Sequence, residues 1–373
     1  MPEILIIGAS GLAGSAALKH FAAKPDWKIK AVSRRRPLFC PDHVEHIPLD
    51  LLDGETCAEI FAAMPGVTHI AYCAVNEQQG NMIAGWRDPE QYAKNMAMLR
   101  NVVDPILSTA HGFRHIGLVH GFKAYGSHLI ERTPPMPYKE SLPRIDQENF
   151  YHQHEDYIRA KQQGASWAWT IIRPGMIVGE AVSANMNTFL VLALFAALRK
   201  EAGLPLIVPD GASMITDIAD ADLLAQGLDW AAGAENARNE AFNLVNGDVF
   251  SLHDAFPIVA EELAMELATP RPFDIAEEVR TLAHLWPGMV RKYGLKAPED
   301  LDALLGESLA VGGGWTYPLD PAHVVRYGLS STIKIRQAGF HDCMDTAEMF
   351  RKYTRRFQQL KIIPAVARAP KSG

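Results

Sequence analysis

An α/β fold with a doubly wound parallel sheet is predicted by three features of this 373-residue chain. Short apolar runs of strand type alternate with helical stretches through the first half. A G-x-x-G-x-x-G turn, formed by Gly8, Gly11 and Gly14, follows the first run, Glu3-Ile4-Leu5-Ile6-Ile7, without a gap. From Glu180 onward the pattern changes to longer helical segments with brief strand interruptions. The arrangement predicts a Rossmann-type dinucleotide-binding domain over residues 1–179, with returning elements around 206–250. A smaller, mainly helical substrate-binding or lid region then covers 180–373.

The glycine turn has a physical purpose. Gly8 lets the backbone swing sharply, Gly11 removes a side chain where a pyrophosphate would approach, and Gly14 lets the helix pack close to its strand. The following helix offers free N–H groups and a partial positive charge to phosphate. Ser10 and Leu12, inside the turn, join the three glycines as cofactor contacts.

Lys28 to Ser33 reads as the second strand, and Arg34, Arg35 and Arg36 stand at its end. In a dinucleotide fold this position meets the adenosine ribose, where an acid would bond the 2′-hydroxyl of NAD. Guanidinium groups instead favour the 2′-phosphate of NADP(H), with Ser33, Arg34 and Arg35 as contacts; a solvated basic loop is the plainer alternative. Glu45 to Leu51 and His69 to Ala74 are the third and fourth strands, separated by a helix around Thr56 to Met64. Asp50, beside Leu51, meets the adenine amino group or serves a plain turn. Ala74 closes the fourth strand on the cofactor side.

A helix over Asn95 to Val103 leads to a fifth strand, His115 to Gly121, and then to Phe122-Lys123-Ala124-Tyr125. Ligands of open α/β sheets bind at the carboxyl ends of strands, so Lys123 and Tyr125 stand where chemistry can occur. A solvated loop lysine is the simpler reading of Lys123 alone. A proline-punctuated loop, Arg132 to Pro137, precedes a helix over Asn149 to Lys161. A sixth strand and its exit follow from Trp169 to Gly179, with Pro174, Met176 and Ile177 as further cofactor contacts.

Two tyrosines compete for the acid role. Tyr157 and Lys161 form a Y-x-x-x-K pair, the spacing by which an ammonium lowers a phenol's pKa on one helical face. Tyr151 instead has Glu155 at that spacing, which by itself would raise its pKa. The helix runs away from the cofactor edge, so at about 1.5 Å per residue Tyr157 lies roughly 9 Å further from it than Tyr151. Geometry therefore favours Tyr151. His152 and His154 read as a polar helix face rather than acid/base groups.

Composition bounds the rest. Hydrophobic residues make up 48% and charged residues 21%, as in an ordinary globular protein, and the net charge of −7 with no long basic run argues against nucleic acid and anionic membrane as partners. The apolar segment Met186 to Leu198 is too short to span a bilayer. The first strand begins at once, leaving no room for a secretory leader. Cys40, Cys57, Cys73 and Cys343 have no metal-ligand spacing and fit a reducing cytoplasm. No metal is expected. The tail, Lys371 to Gly373, is expected to be loose.

Several motifs in order carry a family resemblance. They are the Gly8 to Gly14 turn, Ser33-Arg34-Arg35, Thr68-His69-Ile70, Asn95-Met96-Ala97-Met98-Leu99, Gly121 to Tyr125, Leu142-Pro143-Arg144, Asn149-Phe150-Tyr151 with Glu155-Asp156, and Arg173 to Ile177 with Gly179. Ser183 to Asn187 and Glu201 to Leu206 continue the match, with a weaker echo at Gly339-Phe340 and Asp345-Thr346. On these residues the chain resembles the progesterone 5β-reductase/iridoid synthase-like (PRISE) family of atypical extended short-chain dehydrogenase/reductases. The family takes its lysine from the loop after the fifth strand and its tyrosine from the N-F-Y segment, which implies Lys123 and Tyr151 here. His152 stands where the family often has a second tyrosine, and Lys123-Ala124-Tyr125 replaces K-H-Y.

The resemblance implies an NADPH-dependent reductase of activated C=C bonds in enones or enals. Hydride would reach the β-carbon while Tyr151 bonds the carbonyl oxygen, and Lys123 would hold tyrosine and cofactor ribose and favour the phenolate. Phe122, Tyr125, Asn185 and Met186 would line an apolar pocket for a small carbonyl compound. Whether Trp315, after Gly312-Gly313-Gly314, touches substrate stays open, as does assembly as a homodimer. A carbonyl reductase and a catalytically silent NADP-binding sensor are the rival readings.

Overall fold

The computed structural model describes residues 1–78, 80–129, 135–210, 213–312 and 328–366. The expectations for Arg132 to Pro134, Gly313 to Trp315 and the tail Lys371 to Gly373 lie outside them. The chain divides into two compact units, of which the first comprises Met1–Ile177, Ala219–Asn246 and Gly328–Cys343.

The first unit is built on a seven-stranded parallel sheet. Its first six strands are β1 (Glu3–Ile7), β2 (Lys28–Ser33), β3 (Glu45–Pro48), β4 (His69–Tyr72), β5 (His115–Val119) and β6 (Ala168–Pro174). Three short strands follow in sequence, β7 (Met176–Val178), β8 (Ile215–Thr216) and β9 (Ile218–Asp220), before the last sheet strand, β10 (Glu240–Leu244). The sheet order is β10-β6-β5-β4-β1-β2-β3. The chain grows from β1 to one edge, then crosses back over β1 to build the other, so the switch point falls between β1 and β4. The expected doubly wound Rossmann-type sheet is what the structure contains.

Helices cover both faces, which is why β1 and β6 are buried at every residue. On one face α1 (Leu12–Ala22) packs on α7 (Ala221–Gly233), and the small side chains of Ala16, Ala221 and Ala225 let them approach closely. On the other, α2 (Gly54–Ala62), α4 (Pro89–Thr109) and α5 (Phe150–Gln162) close a large core with Phe61, Leu99, Val102, Ile106 and Ile158. The short helix α3 (Met82–Gly85) precedes α4. The third and fourth strands end earlier than their apolar runs suggest. Pro48 supplies no N–H beyond β3, and the chain turns at Asp50, whose Oδ1 accepts the Leu52 amide at 3.0 Å.

The second unit comprises Val178–Ile218, Gly247–Tyr327 and Met344–Gly373, so far as these are described. Its centre is α6 (Thr188–Glu201), the apolar stretch expected from Met186, started by Asn187, whose side chain accepts the Leu190 amide. Phe189 of α6 packs against Phe350 and Phe357 of the helix Thr346–Gln359. The stretches that read as long helices in the sequence, Ser251 to Leu267, Ala276 to Tyr293 and Pro298 to Leu309, are broken into shorter ones, including Ala255–Glu262, Ile275–Leu282, Trp286–Tyr293 and Leu301–Leu305. Leu206 to Pro209, which reads as a strand in the sequence, forms none: Leu206 and Pro209 make isolated bridges to Leu267 and Arg271, because flanking prolines remove ladder donors. Among the described residues no helix is long and apolar enough to cross a membrane.

At the amino-terminal edge of the sheet, His69 and His115 are buried, and His115 Nε2 bonds Thr170 Oγ1 at 2.9 Å. Burial lowers His69 to about 4 and His115 to about 3. Both are neutral in the fold, whereas the unfolded chain protonates them below about 6.5. The unfolded state then binds more protons, so stability should fall as pH drops from 6.5 toward 4. A His115→Gln protein should lose one proton's share of that slope, about 1.4 kcal/mol per pH unit. Urea unfolding between pH 7 and 4.5 measures it; an unchanged slope contradicts the assignment.

Candidate active site at the carboxyl edge of the sheet

The glycine turn is fixed by close backbone approach. Gly8 has φ +81°, and a Cβ there would lie 2.8 Å from the Ala74 amide nitrogen. A Cβ on Gly14 would lie 2.1 Å from the Gly8 carbonyl oxygen, so both positions require glycine. Gly11 differs, because a Cβ there would meet only the Gly8 oxygen at 3.4 Å. The space over Gly11 is open, and no side chain caps α1. Ser10 and Leu12 flank that opening in the turn.

At the end of β2, Ser33 is buried and its hydroxyl donates to the Arg35 carbonyl at 2.6 Å. Arg34, Arg35 and Arg36 are exposed there. Asp50 is held in its turn and Leu51 is buried, its carbonyl accepting from Asn101 Nδ2 at 2.8 Å. The local job of Asp50 is thus the turn.

Lys123 and Tyr151 come from different segments that one side chain joins. Phe122–Tyr125 forms a 3-10 turn after β5, and Asn149 caps α5. Asn149 Nδ2 donates to the Lys123 carbonyl at 2.7 Å while its Oδ1 accepts the Tyr151 amide at 2.9 Å. A second clamp is His152 Nε2, 3.0 Å from the Ala124 carbonyl. Tyr92, Ala124, Phe150 and Tyr151 then pack as one apolar cluster. The Tyr151 ring stacks on His120 with centroids 4.4 Å apart. A Cβ on Gly121 would stand 3.7 Å from the Tyr151 hydroxyl and 3.9 Å from the Pro174 carbonyl, which sets the phenol at the carboxyl ends of β5 and β6.

Lys123 Nζ is bonded to Glu77 Oε1 at 3.1 Å and lies 4.5 Å from the Trp86 ring centroid. The pair is buried, with side-chain exposures of 12% and 1%. Burial first and the Glu77 carboxylate second push the Tyr151 hydroxyl above its ordinary value. Glu155, expected to do so, is turned away: it pairs with Arg159 at 2.7 Å and Arg173 at 3.1 Å.

The literal motif pair is engaged elsewhere. Tyr157 donates to Asp104 Oδ1 at 2.8 Å and Lys161 Nζ lies 2.6 Å from the same oxygen, which ties them to α4. The polar face of His152 and His154 is a buried one. His154 Nε2 reaches the Asn95 carbonyl at 3.1 Å, and burial lowers the ring to about 4. Their polarity serves α5 against the α4 and Ala124 backbone.

Tyr125 is buried beneath the turn, its hydroxyl donating to Asn243 Oδ1 at 2.6 Å and accepting from Arg173 Nη1 at 3.1 Å. Its ring stacks on Tyr138, so its polar atom is committed to the fold; Phe122 is partly exposed beside them. Asn185 and Met186 belong to the second unit, where a Cβ on Gly306 would lie 3.1 Å from Asn185 Oδ1. Ala74 touches the glycine turn, Pro174 lies beside Tyr151 as above, and Met176 and Ile177 are half-buried beyond β6. A cavity of 420 Å³ among His69, Arg114, His115 and Arg238 sits at the opposite edge of the sheet, away from these groups.

The sequence reading missed Glu77, Trp86 and Gln91. Gln91 Nε2 and Trp86 Nε1 both donate to Glu77 Oε2, at 3.1 and 3.0 Å. Asn95 bonds the Asn76 backbone through both its amide atoms, fixing the loop that carries Glu77. Glu77 stands between Asn76 and Gln78 in a polar stretch, so no local signal marked it.

If Asn149 joins the segments, Asn149→Ala should cost about 1 kcal/mol in urea unfolding. Asn149→Asp keeps the cap acceptor but not the donor to Lys123, and should fall between. Two wild-type-like curves contradict the bridge.

The PRISE-like Rossmann-fold domain family matches residues 54–202. The (S)-8-oxocitronellyl enol synthase of Camptotheca acuminata is 30% identical, over 96% of this chain and 93% of that protein. The 3-oxo-Δ4,5-steroid 5β-reductase of Arabidopsis thaliana is 28% identical, over 96% and 92%. In fold the chain is similar to the UDP-glucose 4-epimerases of Thermotoga maritima and, in complex with NAD, Thermus thermophilus. Their TM-scores are 0.65 and 0.64 at 14% and 15% identity, covering 96% and 95% of this chain and 99% of each of theirs. With near full-length similarity on this fold, the chain belongs to the PRISE family and is an enzyme of the short-chain dehydrogenase/reductase class.

Proposed function

We propose that this enzyme is an NADPH-dependent reductase of activated C=C bonds in small, apolar enones or enals. The observation that carries the reading is near full-length similarity to two proteins whose names specify an enol product and a 3-oxo-Δ4,5-steroid substrate. Hydride addition to the β-carbon of an enone or enal, with protonation on oxygen, leaves an enol, and a 3-oxo-Δ4,5 compound is itself an enone.

The residues present fit the cofactor. The opening over Gly11 and the uncapped start of α1 suit a pyrophosphate, and Arg34 and Arg35 suit a 2′-phosphate. Ser10, Leu12, Ser33, Asp50, Leu51, Ala74, Pro174, Met176 and Ile177 are its further proposed contacts. Bound there, NADPH supplies the hydride.

The chain's own residues supply the acid side. The Tyr151 hydroxyl, protonated across the physiological range, donates to the substrate carbonyl oxygen and stabilises the negative charge that develops there as the β-carbon is reduced. Lys123, its charge shared with Glu77, would hold the cofactor ribose from the turn after β5, and Phe122 adds an apolar contact. The buried setting strengthens each interaction.

The test is NADPH oxidation across a panel of enones and enals with product analysis. A saturated carbonyl product is expected. An allylic alcohol would assign a carbonyl reductase instead, and NADPH binding without turnover a sensor. Replacing Arg34 and Arg35 by Ala should raise the NADPH KM about tenfold or more while leaving the NADH KM nearly unchanged; equal effects contradict the 2′-phosphate assignment.

A further inference from the structure

His120 is a buried polar residue in ring contact with the proposed donor, Tyr151. It follows β5, and its amide donates to the Ile172 carbonyl at 2.9 Å, so the pairing of β5 with β6 continues through it. The residue is 5% exposed, and among the described residues neither Nδ1 nor Nε2 has a hydrogen-bond partner. Burial keeps the imidazole neutral. Two unpaired buried nitrogens cost stability, and a Leu or Met of similar volume would avoid that cost.

The imidazole's polar atoms are idle, but its face is not. It lies against the Tyr151 ring with centroids 4.4 Å apart and planes 15° from parallel. Phe150 meets the same phenol ring at 4.4 Å and 58°, and His154 lies 5.6 Å from His120 on the α5 side. The Asn149 bridge fixes the Tyr151 backbone and leaves the plane of its ring as a separate freedom. Among the described residues no hydrogen bond holds the Tyr151 hydroxyl, and a phenolic O–H prefers the plane of its ring. The direction of donation therefore follows from the ring plane, which packing sets.

We propose that His120 is a positioning residue whose imidazole face, anchored to the sheet, holds the Tyr151 ring in the plane from which its hydroxyl donates to the substrate carbonyl. An aliphatic side chain at 120 would fill the space but present no plane, and the phenol could tilt. The unpaired nitrogens are the stability cost of keeping a flat side chain of this size there. The inference rests on the proposed function and names the residue that orients its donor.

The experiment compares His120→Leu and His120→Phe in the full chain. The urea midpoint of His120→Leu should rise above wild type, because desolvating two unpaired nitrogens costs more than one stacked pair contributes. The same variant should reduce enones with kcat lowered about tenfold and the NADPH KM unchanged. Stability and turnover then move in opposite directions, which a merely structural side chain would not produce. His120→Phe restores a ring face and should recover kcat to within about threefold of wild type. If His120→Leu does not fold, His120→Met, unbranched and without a flat face, makes the same comparison. Wild-type kcat in the folded Leu or Met protein, an equally low kcat in His120→Phe, or a urea midpoint that falls with kcat overturns the proposal. A readout without substrate is the relaxation of ¹³Cε-labelled tyrosine, with Tyr151 assigned through Tyr151→Phe. The Tyr151 ring should be more mobile in His120→Leu and as ordered as wild type in His120→Phe. That pattern in a protein that reduces no enone supports the role of His120 while refuting the proposed function, and an equally ordered ring in His120→Leu overturns the role whatever the activity.

Discussion

The Asn149 side chain spans two segments of the chain, donating to the carbonyl of Lys123 and accepting the amide of Tyr151. Neither segment is positioned for chemistry by its own secondary structure. The turn after β5 has few internal bonds, and α5 begins only where Asn149 lets it. A single amide with one donor and one acceptor in use makes one rigid unit of them. His152, reaching the Ala124 carbonyl, repeats the clamp one position further along. In a fold where phenol and lysine do not share a helix, this bridge takes the place of i, i+4 spacing.

Around that bridge the charges are arranged in closed groups. Glu155 is shared among Arg144, Arg159 and Arg173, and Arg173 passes a hydrogen bond on to Tyr125 and so to Asn243. Glu77 and Lys123 form the second group, with Trp86 and Gln91 completing the carboxylate. Such buried pairs are costly to break because the remaining charge has no water. The first group joins α5 to β6 and β10; the second ties the turn after β5 to the segment after β4.

Much of the architecture was legible because it rests on short-range signals. The apolar run into Gly8 and Gly14 specified strand, turn and helix, and backbone contacts as close as 2.1 Å explain why glycine stands there. The doubly wound parallel sheet followed from alternation. The site was legible only in part. Tyr151 could be preferred by helix geometry, and Lys123 by resemblance, but Glu77 stands 46 residues from Lys123 and nothing local announces the pairing. His152 and His154 look like a solvent face in sequence, whereas the structure uses their ring nitrogens to satisfy buried carbonyls. Arg144, Glu155 and Arg173 are prominent within the family motifs, yet their bonds join elements of the fold. Motif residues and chemistry therefore only partly coincide.

The central claim is that the phenol on the bridged segment, and not the one in the literal Y-x-x-x-K pair, contacts the reacting carbonyl. Tyr157 already spends its hydroxyl on Asp104. The most direct measurement compares kcat for enone reduction in Tyr151→Phe and Tyr157→Phe, with NADPH affinity measured alongside by fluorescence. The account predicts a fall in kcat of about 10²-fold or more for Tyr151→Phe with NADPH binding retained, and near-wild-type turnover for Tyr157→Phe. Loss of turnover in Tyr157→Phe with Tyr151→Phe active would contradict it.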